Sequence, residues 1–296
     1  MDFLLTQEGN VIAFYFCVCL LLYKEGNHVN YSFNNQFDII NSGVNWQMDW
    51  KAVTFDLDNT LFSHEEAFKK AIKECFKTFS DKYINEAHEI TYEQFFPVFK
   101  LNCDRYWDKY ESGEVDGKTY RRIRFNETMK DLALPYGNDY ADFFHDHYYS
   151  IIDEYSKPFE GVHELFEVLT EHGVRIAIVS NGSADTQYNK VKKLGINKWV
   201  ADEHIFISEE AGVSKPDKEI FKLVEEKLKL PSHDIVFVGD SWEHDVAGPI
   251  EAGWEAIFLN TRKEDKPTEH QPAAEFEEFT HLKDELIKMV RERRAL

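Results

Sequence analysis

Four polar clusters stand where apolar runs of the chain stop, and each could do chemistry. Asp56-Leu57-Asp58-Asn59-Thr60 follows a short, largely apolar run over residues 51–55 (KAVTF). Two carboxylates two residues apart at the end of a buried run are costly unless a cation or a shared proton compensates them. Alone, the pair also fits a solvated turn. Ser180-Asn181-Gly182 ends a second run, where a hydroxyl and free backbone N–H groups could grip an anion or simply cap the next helix. Lys215-Pro216 carries little by itself. Gly239-Asp240-Ser241-Trp242-Glu243-His244-Asp245 ends a third run, and its two aspartates, five apart across a loop, could face one point.

The elements that must position these clusters alternate. Residues 51–56, 174–179, 204–208, 234–239 and 254–259 read as short strands rich in Val, Ile and Phe. Between them lie helical patterns, one over 162–172, one ending at Leu194, one beginning near Pro216, and a last one over 278–296. Such alternation gives βα units and a parallel sheet with helices on both faces. Open sheets of this kind bind ligands beyond the carboxyl ends of their strands, where all four clusters fall. Ser63 with Glu66 three residues on predicts a capping box, and residues 63–157 read as helices throughout. That segment is crowded with aromatics, at spacings that favour a core of its own, though a few rings could stack on a base. Arg121, Arg122 and Arg124 could hold a carboxylate or second phosphate, or form a solvated helix face. His64 is either a first-turn helix residue or a substrate contact.

The chain has 296 residues, 43 % of them hydrophobic, and a formal charge of 34 − 54 = −20. That balance argues against a nucleic acid polymer as partner and leaves room for a small phosphate ester at a locally positive site. Cys17, Cys19, Cys75 and Cys103 show no metal-type spacing and fit a reducing cytosol. Residues 11–23 form an uncharged run of 13, short of the ~20 needed to span a bilayer, so a membrane is not expected as partner. No Lys or Arg precedes that run, which makes a poor secretory leader. Met48 precedes the first strand, and residues 1–47 are expected to be an extension outside the fold, with a membrane-associating segment as the competing reading. No oligomeric state is legible.

Taken together and in order, D-x-D-N-T, S-N-G, K-P and G-D-S-x-x-x-D resemble the signature motifs of the haloacid dehalogenase-like hydrolases. The resemblance covers residues 48–262. It implies an α/β fold: a Rossmann-like three-layer core with a parallel sheet (residues 48–62 and 158–296) and an inserted α-helical cap (63–157). It implies Asp56 as the nucleophile forming an aspartyl-phosphate, and Asp58 as general acid and then base, its carbonyl also binding Mg²⁺. Thr60, Ser180, Asn181 and Gly182 would hold the motif and the phosphoryl oxygens. Lys215 would neutralise nucleophile and phosphate, while Asp240 and Asp245 would complete the metal site with Asp56 and Asp58. An acid at Asp58 separates phosphoryl transfer from dehalogenation, where a halide leaves without a proton. Asp58 must then hold a proton when the leaving group departs, so its pKa is expected to be raised. The segment Arg121-Arg122-Ile123-Arg124-Phe125 and the run SWEHDVAGPIEAGW resemble the pyrimidine 5'-nucleotidase and N-acylneuraminate-9-phosphatase branch. The expected activity is Mg²⁺-dependent hydrolysis of a small phosphorylated metabolite, a nucleotide or sugar phosphate, in the cytoplasm. A phosphomutase and a catalytically weak ligand-binding member are the alternatives.

Overall fold

The structure, a computed structural model, describes residues 50–84 and 90–292. Residues 1–47, expected to be an extension, lie outside them. β1 (Ala52–Phe55) and β4 (Ile235–Gly239) are buried along their whole length, as strands covered on both faces must be. With β2 (Arg175–Ser180), β3 (Ile205–Ile207), β5 (Glu255–Leu259) and β6 (Ala274–Phe276) they form one parallel sheet in the order β3-β2-β1-β4-β5-β6. β6 is absent from the sequence-based expectation. It is three residues long and only partly buried, too short for a period to show.

Six helices matter for the site. α1 (His64–Tyr83), α2 (Tyr92–Glu111), α3 (Gly117–Asp131) and α4 (Asn138–Tyr155) follow β1; α5 (Val162–Glu171) precedes β2; α6 (Ala184–Lys193) follows β2. Further on come α7 (Lys218–Leu228) and α8 (Phe279–Glu292). The alternation of β1 shows the layering. Ala52 packs with Ile220, Phe221 and Val224 of α7 on one face, while Phe55 meets Phe166 of α5 on the other at 5.0 Å between ring centroids. Helices therefore cover both faces of the sheet.

α1 begins where Ser63 accepts a hydrogen bond from the Glu66 N–H at 3.1 Å, which is half of the expected capping box. The complete box is at Thr91 and Gln94, heading α2. Phe68, Ile72, Phe76 and Phe79 form the buried face of α1. Rings from the four helices meet there: Phe76 stacks on Phe95 at 4.6 Å, Phe79 meets Phe125 edge to face at 5.3 Å, and Phe125 lies tilted against Phe144 at 5.1 Å. Most of the aromatics are thus this segment's own core. The chain enters and leaves the segment at one place, since the Phe159 N–H donates to the Leu61 carbonyl at 2.9 Å. Among the described residues no helix is long and apolar enough to cross a membrane.

Candidate active site

The strand order reverses between β1 and β4, and the residues just past these two strands meet there. Register pairs Phe55 with Val238, and the Asp56 N–H donates to the Val238 carbonyl at 2.9 Å, so Asp56 lies beside the Gly239–Asp240 peptide. Asp245 comes from a wide π-type helical turn, Trp242–Ala247, and is held by the Ser241 N–H at 3.0 Å. Gly239 has to be glycine: a Cβ there would lie 2.4 Å from the Asp245 side chain. Lys215 is aimed by a clamp. The Asn181 amide donates to the Lys215 carbonyl and accepts from its N–H, both at 2.9 Å. The buried Lys215 ammonium then donates to Asp56 Oδ1 at 2.8 Å and to Asp245 Oδ1 at 2.6 Å. Thr60 bridges Asp56 Oδ2 at 3.2 Å and Asp240 Oδ1 at 3.4 Å.

Asp56, Asp240 and Asp245 each present an oxygen within 4.8 Å of the others, and all three are buried. Burial pushes the Asp56 carboxyl up, Lys215 pulls it back and Asp245 raises it again, leaving it at about 6. Asp240 rises to about 8, through burial first and then through Asp56 and Asp245. Burial lowers the Lys215 ammonium, but Asp245 and Asp56 outweigh that and hold its pKa above the ordinary lysine value. One lysine does not balance three carboxylates. Arg262, partly exposed, pairs with Asp240 Oδ2 at 2.8 Å, yet this buried oxygen accepts no hydrogen bond from a described residue. A cluster of hard oxygen donors, one of them without a hydrogen bond, fits a divalent ion such as Mg²⁺.

Asp58 departs from expectation. Burial raises its carboxyl, but Lys190, then His64 and Gln187, more than reverse this and lower it to about 2. The buried Lys190 ammonium contacts both carboxylate oxygens at 2.7 Å, and the Gln187 amide donates to Oδ2 at 3.0 Å. The expected raised pKa is therefore corrected: Asp58 stands ionised, because α6 brings a lysine against it. Gln187 also donates to Ser180 Oγ at 2.7 Å and to the Asn181 carbonyl at 3.0 Å, tying the first two motifs together. The Gly182 N–H donates to Ser208 Oγ at 2.9 Å. His64 Nδ1 lies 3.5 Å from Asp58 Oδ1. Burial, only partly countered by Asp58, lowers its imidazole to about 4 and keeps it neutral.

A cleft of about 740 Å³ opens beside this cluster. Asp58, His64, Asn181, Gly182, Gln187 and Lys190 form one wall. The other comes from the helical segment and includes Trp107, Tyr148, Tyr149, Arg121 and Arg124. Arg122 turns away and pairs with both oxygens of Asp142, at 2.8 and 2.5 Å. Gln187, Lys190 and Arg262 were not expected from sequence. The first two are three apart on α6, one face of a helix, which was the available signal.

A sequence model of the haloacid dehalogenase-like hydrolases matches residues 50–253. The chain belongs to this family. It is accordingly a hydrolase, and several of its relatives are phosphatases or nucleotidases by name. It is 25 % identical to the pyrimidine 5'-nucleotidase YjjG of Escherichia coli, over 74 % of this chain and 90 % of that one. It is 29 % identical to a ribulose-1,5-bisphosphate 5-phosphatase of Halopiger xanaduensis, over 74 % and 88 %. A glyceraldehyde 3-phosphate phosphatase of Methanopyrus kandleri is 28 % identical, over 82 % and 97 %. Among solved structures, the HAD-hydrolase YfnB of Bacillus subtilis, bound to magnesium, superposes with a TM-score of 0.67 at 23 % identity, covering 80 % of this chain and 98 % of that one. This likeness confirms the HAD-type Rossmann-like fold.

Proposed function

We propose that the chain is a Mg²⁺-dependent phosphatase that hydrolyses a small phosphate monoester through an aspartyl-phosphate on Asp56. One observation carries this reading: the Asp56 carboxylate, held by the buried Lys215 ammonium at 2.8 Å, shares a space under 5 Å across with Asp240 and Asp245. A nucleophilic carboxylate beside a cation site is what two-step phosphoryl transfer needs. The phosphatase and nucleotidase names of the relatives support the ester class.

Asp56 attacks phosphorus and the bond to the leaving oxygen breaks, while Asp58 delivers a proton to that oxygen. Water then attacks the acyl phosphate, Asp58 takes its proton, and Asp56 is released with inorganic phosphate. Lys190 holds Asp58 ionised before substrate arrives, so Asp58 takes up a proton from solvent as the substrate binds and passes that proton to the leaving oxygen. The phosphate dianion, bringing nearly two negative charges, raises the affinity of Asp58 for the proton it must donate. Lys215 screens Asp56 from the incoming dianion. Asn181 positions Lys215, and Ser180 with the Asn181–Gly182 backbone lies at the helix N-terminal side where phosphoryl oxygens would rest. Mg²⁺, when bound by Asp56, Asp240, Asp245 and the Asp58 carbonyl, supplies charge neutralisation to the cluster and the phosphoryl group. Residues 48–62 and 158–296 act as the catalytic core, and 63–157 as a cap that completes the cleft. Cys75 and Cys103 are free thiols, in keeping with a reducing, cytoplasmic setting.

A panel of phosphate esters including p-nitrophenyl phosphate, read for free phosphate and for isomerised product, tests this. Free phosphate that disappears on chelation and returns with Mg²⁺ is expected. Isomerised ester without net phosphate release would make the chain a mutase, and tight binding without turnover would make it a binding protein.

A further inference from the structure

Arg124 is buried and carries a charge that no described carboxylate compensates. Its residue is 7 % exposed, yet no described Asp or Glu lies within 4.0 Å of its guanidinium, while Arg122 two positions earlier takes Asp142. The groups that do touch it are neutral. Nε donates to His145 Nε2 at 3.2 Å. His145 Nδ1 lies 2.8 Å from the Ala141 carbonyl and must donate to it, which makes the ring the neutral tautomer with Nε2 as acceptor. Nη1 donates to the Tyr120 hydroxyl at 3.4 Å, and that hydroxyl in turn donates a hydrogen bond to the Cys103 carbonyl at 3.1 Å. The rings of Tyr120 and Phe99 lie 4.8 and 5.5 Å from the guanidinium carbon. The buried, neutral Cys103 thiol also takes a hydrogen bond from the guanidinium.

A buried cation left without a counter-charge is expensive to keep, and an anion that arrives beside it would relieve that cost. Arg124 lines the same cleft as Asp58 and His64. Arg121, one turn earlier on the same face of α3, lines it too, with its Nη1 on the Tyr149 hydroxyl at 3.2 Å and its guanidinium over that ring. We infer that the substrate carries a second anionic group, a carboxylate or another phosphate remote from the phosphoryl group that is cut, and that Arg124 receives it. This rests on the phosphatase reading and narrows it. Phosphorylated carboxylic acids and bisphosphates become the favoured class, and monoesters with a neutral remote end, nucleoside monophosphates among them, the disfavoured one. A planar fork with free donors suits either oxyanion.

Matched pairs decide it on the unaltered protein with Mg²⁺: 3-phosphoglycerate against glycerol 3-phosphate, and fructose 1,6-bisphosphate against fructose 6-phosphate. At least one anionic member should show a kcat/KM higher by roughly 10- to 100-fold, chiefly through KM, as a charge-assisted contact provides. The pair that shows the preference identifies carboxylate or phosphate. Arg124→Gln should bring that ratio to near one, and Arg124→Lys should restore part of it, whereas a merely structural role would lower both members alike and leave the ratio intact. Equal turnover of both members in both pairs, with p-nitrophenyl phosphate still hydrolysed, overturns this inference alone. A ratio untouched in a folded Arg124→Gln overturns it as well. No phosphate from any ester overturns the phosphatase reading beneath it.

Discussion

Asp56→Asn should release phosphate from p-nitrophenyl phosphate at least about 1000-fold more slowly than the parent, as loss of a covalent nucleophile does. The amide matches the carboxylate in shape, so Lys215 can still donate to its oxygen, and Thr60 keeps a partner. What disappears is the negative charge that makes the oxygen a nucleophile toward phosphorus. The fold should not suffer. Burial and Asp245 hold the Asp56 carboxyl up at about 6, which means that its ionised form is disfavoured in the folded protein. A neutral amide removes that penalty, so without metal the variant should melt no lower than the parent. Phosphate-release assays and a thermal melt on the same sample check both halves. Undiminished turnover would remove Asp56 as nucleophile.

Lys215→Met should have the opposite balance, losing both stability and activity. The ammonium is the buried cation that touches Asp56 and Asp245 together, at 2.8 and 2.6 Å. Removing it leaves two buried carboxylates, with Asp240 beside them, facing one another. Breaking a buried pair on one side costs about 3–5 kcal/mol, and for a domain of this size that lowers Tm by roughly 10 °C. Mg²⁺ should recover more Tm in the variant than in the parent, because it supplies charge at the same cluster. Activity should stay down about 100-fold or more even with saturating Mg²⁺, as when a preorganised electrostatic partner is lost. Melts with and without Mg²⁺ alongside initial rates measure this, and a variant as stable as the parent in metal-free buffer would show that Lys215 does not balance the cluster.

The residues at the strand ends were legible because punctuation exposes them. A buried apolar run that stops at Asp56 or Gly239-Asp240 leaves few places for the carboxylates other than the rim of the sheet. Asp58 shows the limit. The general-acid role implied a raised pKa, but its state is set by Lys190, 132 positions away, and α6 must be laid across the sheet before the pair exists. A lysine on an amphipathic helix reads as solvated until that packing is known. The Arg121–Arg124 segment shows the same thing at finer grain. All three arginines lie on α3, and helix geometry alone sends Arg122 one way and Arg121 with Arg124 the other. Which of these directions held a partner depended on Asp142 of α4. Arg262 lies in a loop with no period to read, and β6 was too short to give one.

On the proposed reading, the carboxylates of Asp56, Asp240 and Asp245 tolerate one another because a divalent ion joins Lys215 among them. Without metal, Asp56 at about 6 and Asp240 at about 8 sit above the ordinary carboxylate value of 3.8. The folded chain then holds protons that the unfolded chain has released, so these groups withdraw stability as pH rises from about 4 to about 8. Protons and Mg²⁺ compete for the same oxygens. Thermal melts with and without Mg²⁺ at pH 5 and pH 8 therefore test the claim directly: Mg²⁺ should raise Tm at both, and by clearly more at pH 8. A Tm that Mg²⁺ leaves unmoved at pH 8 would contradict it.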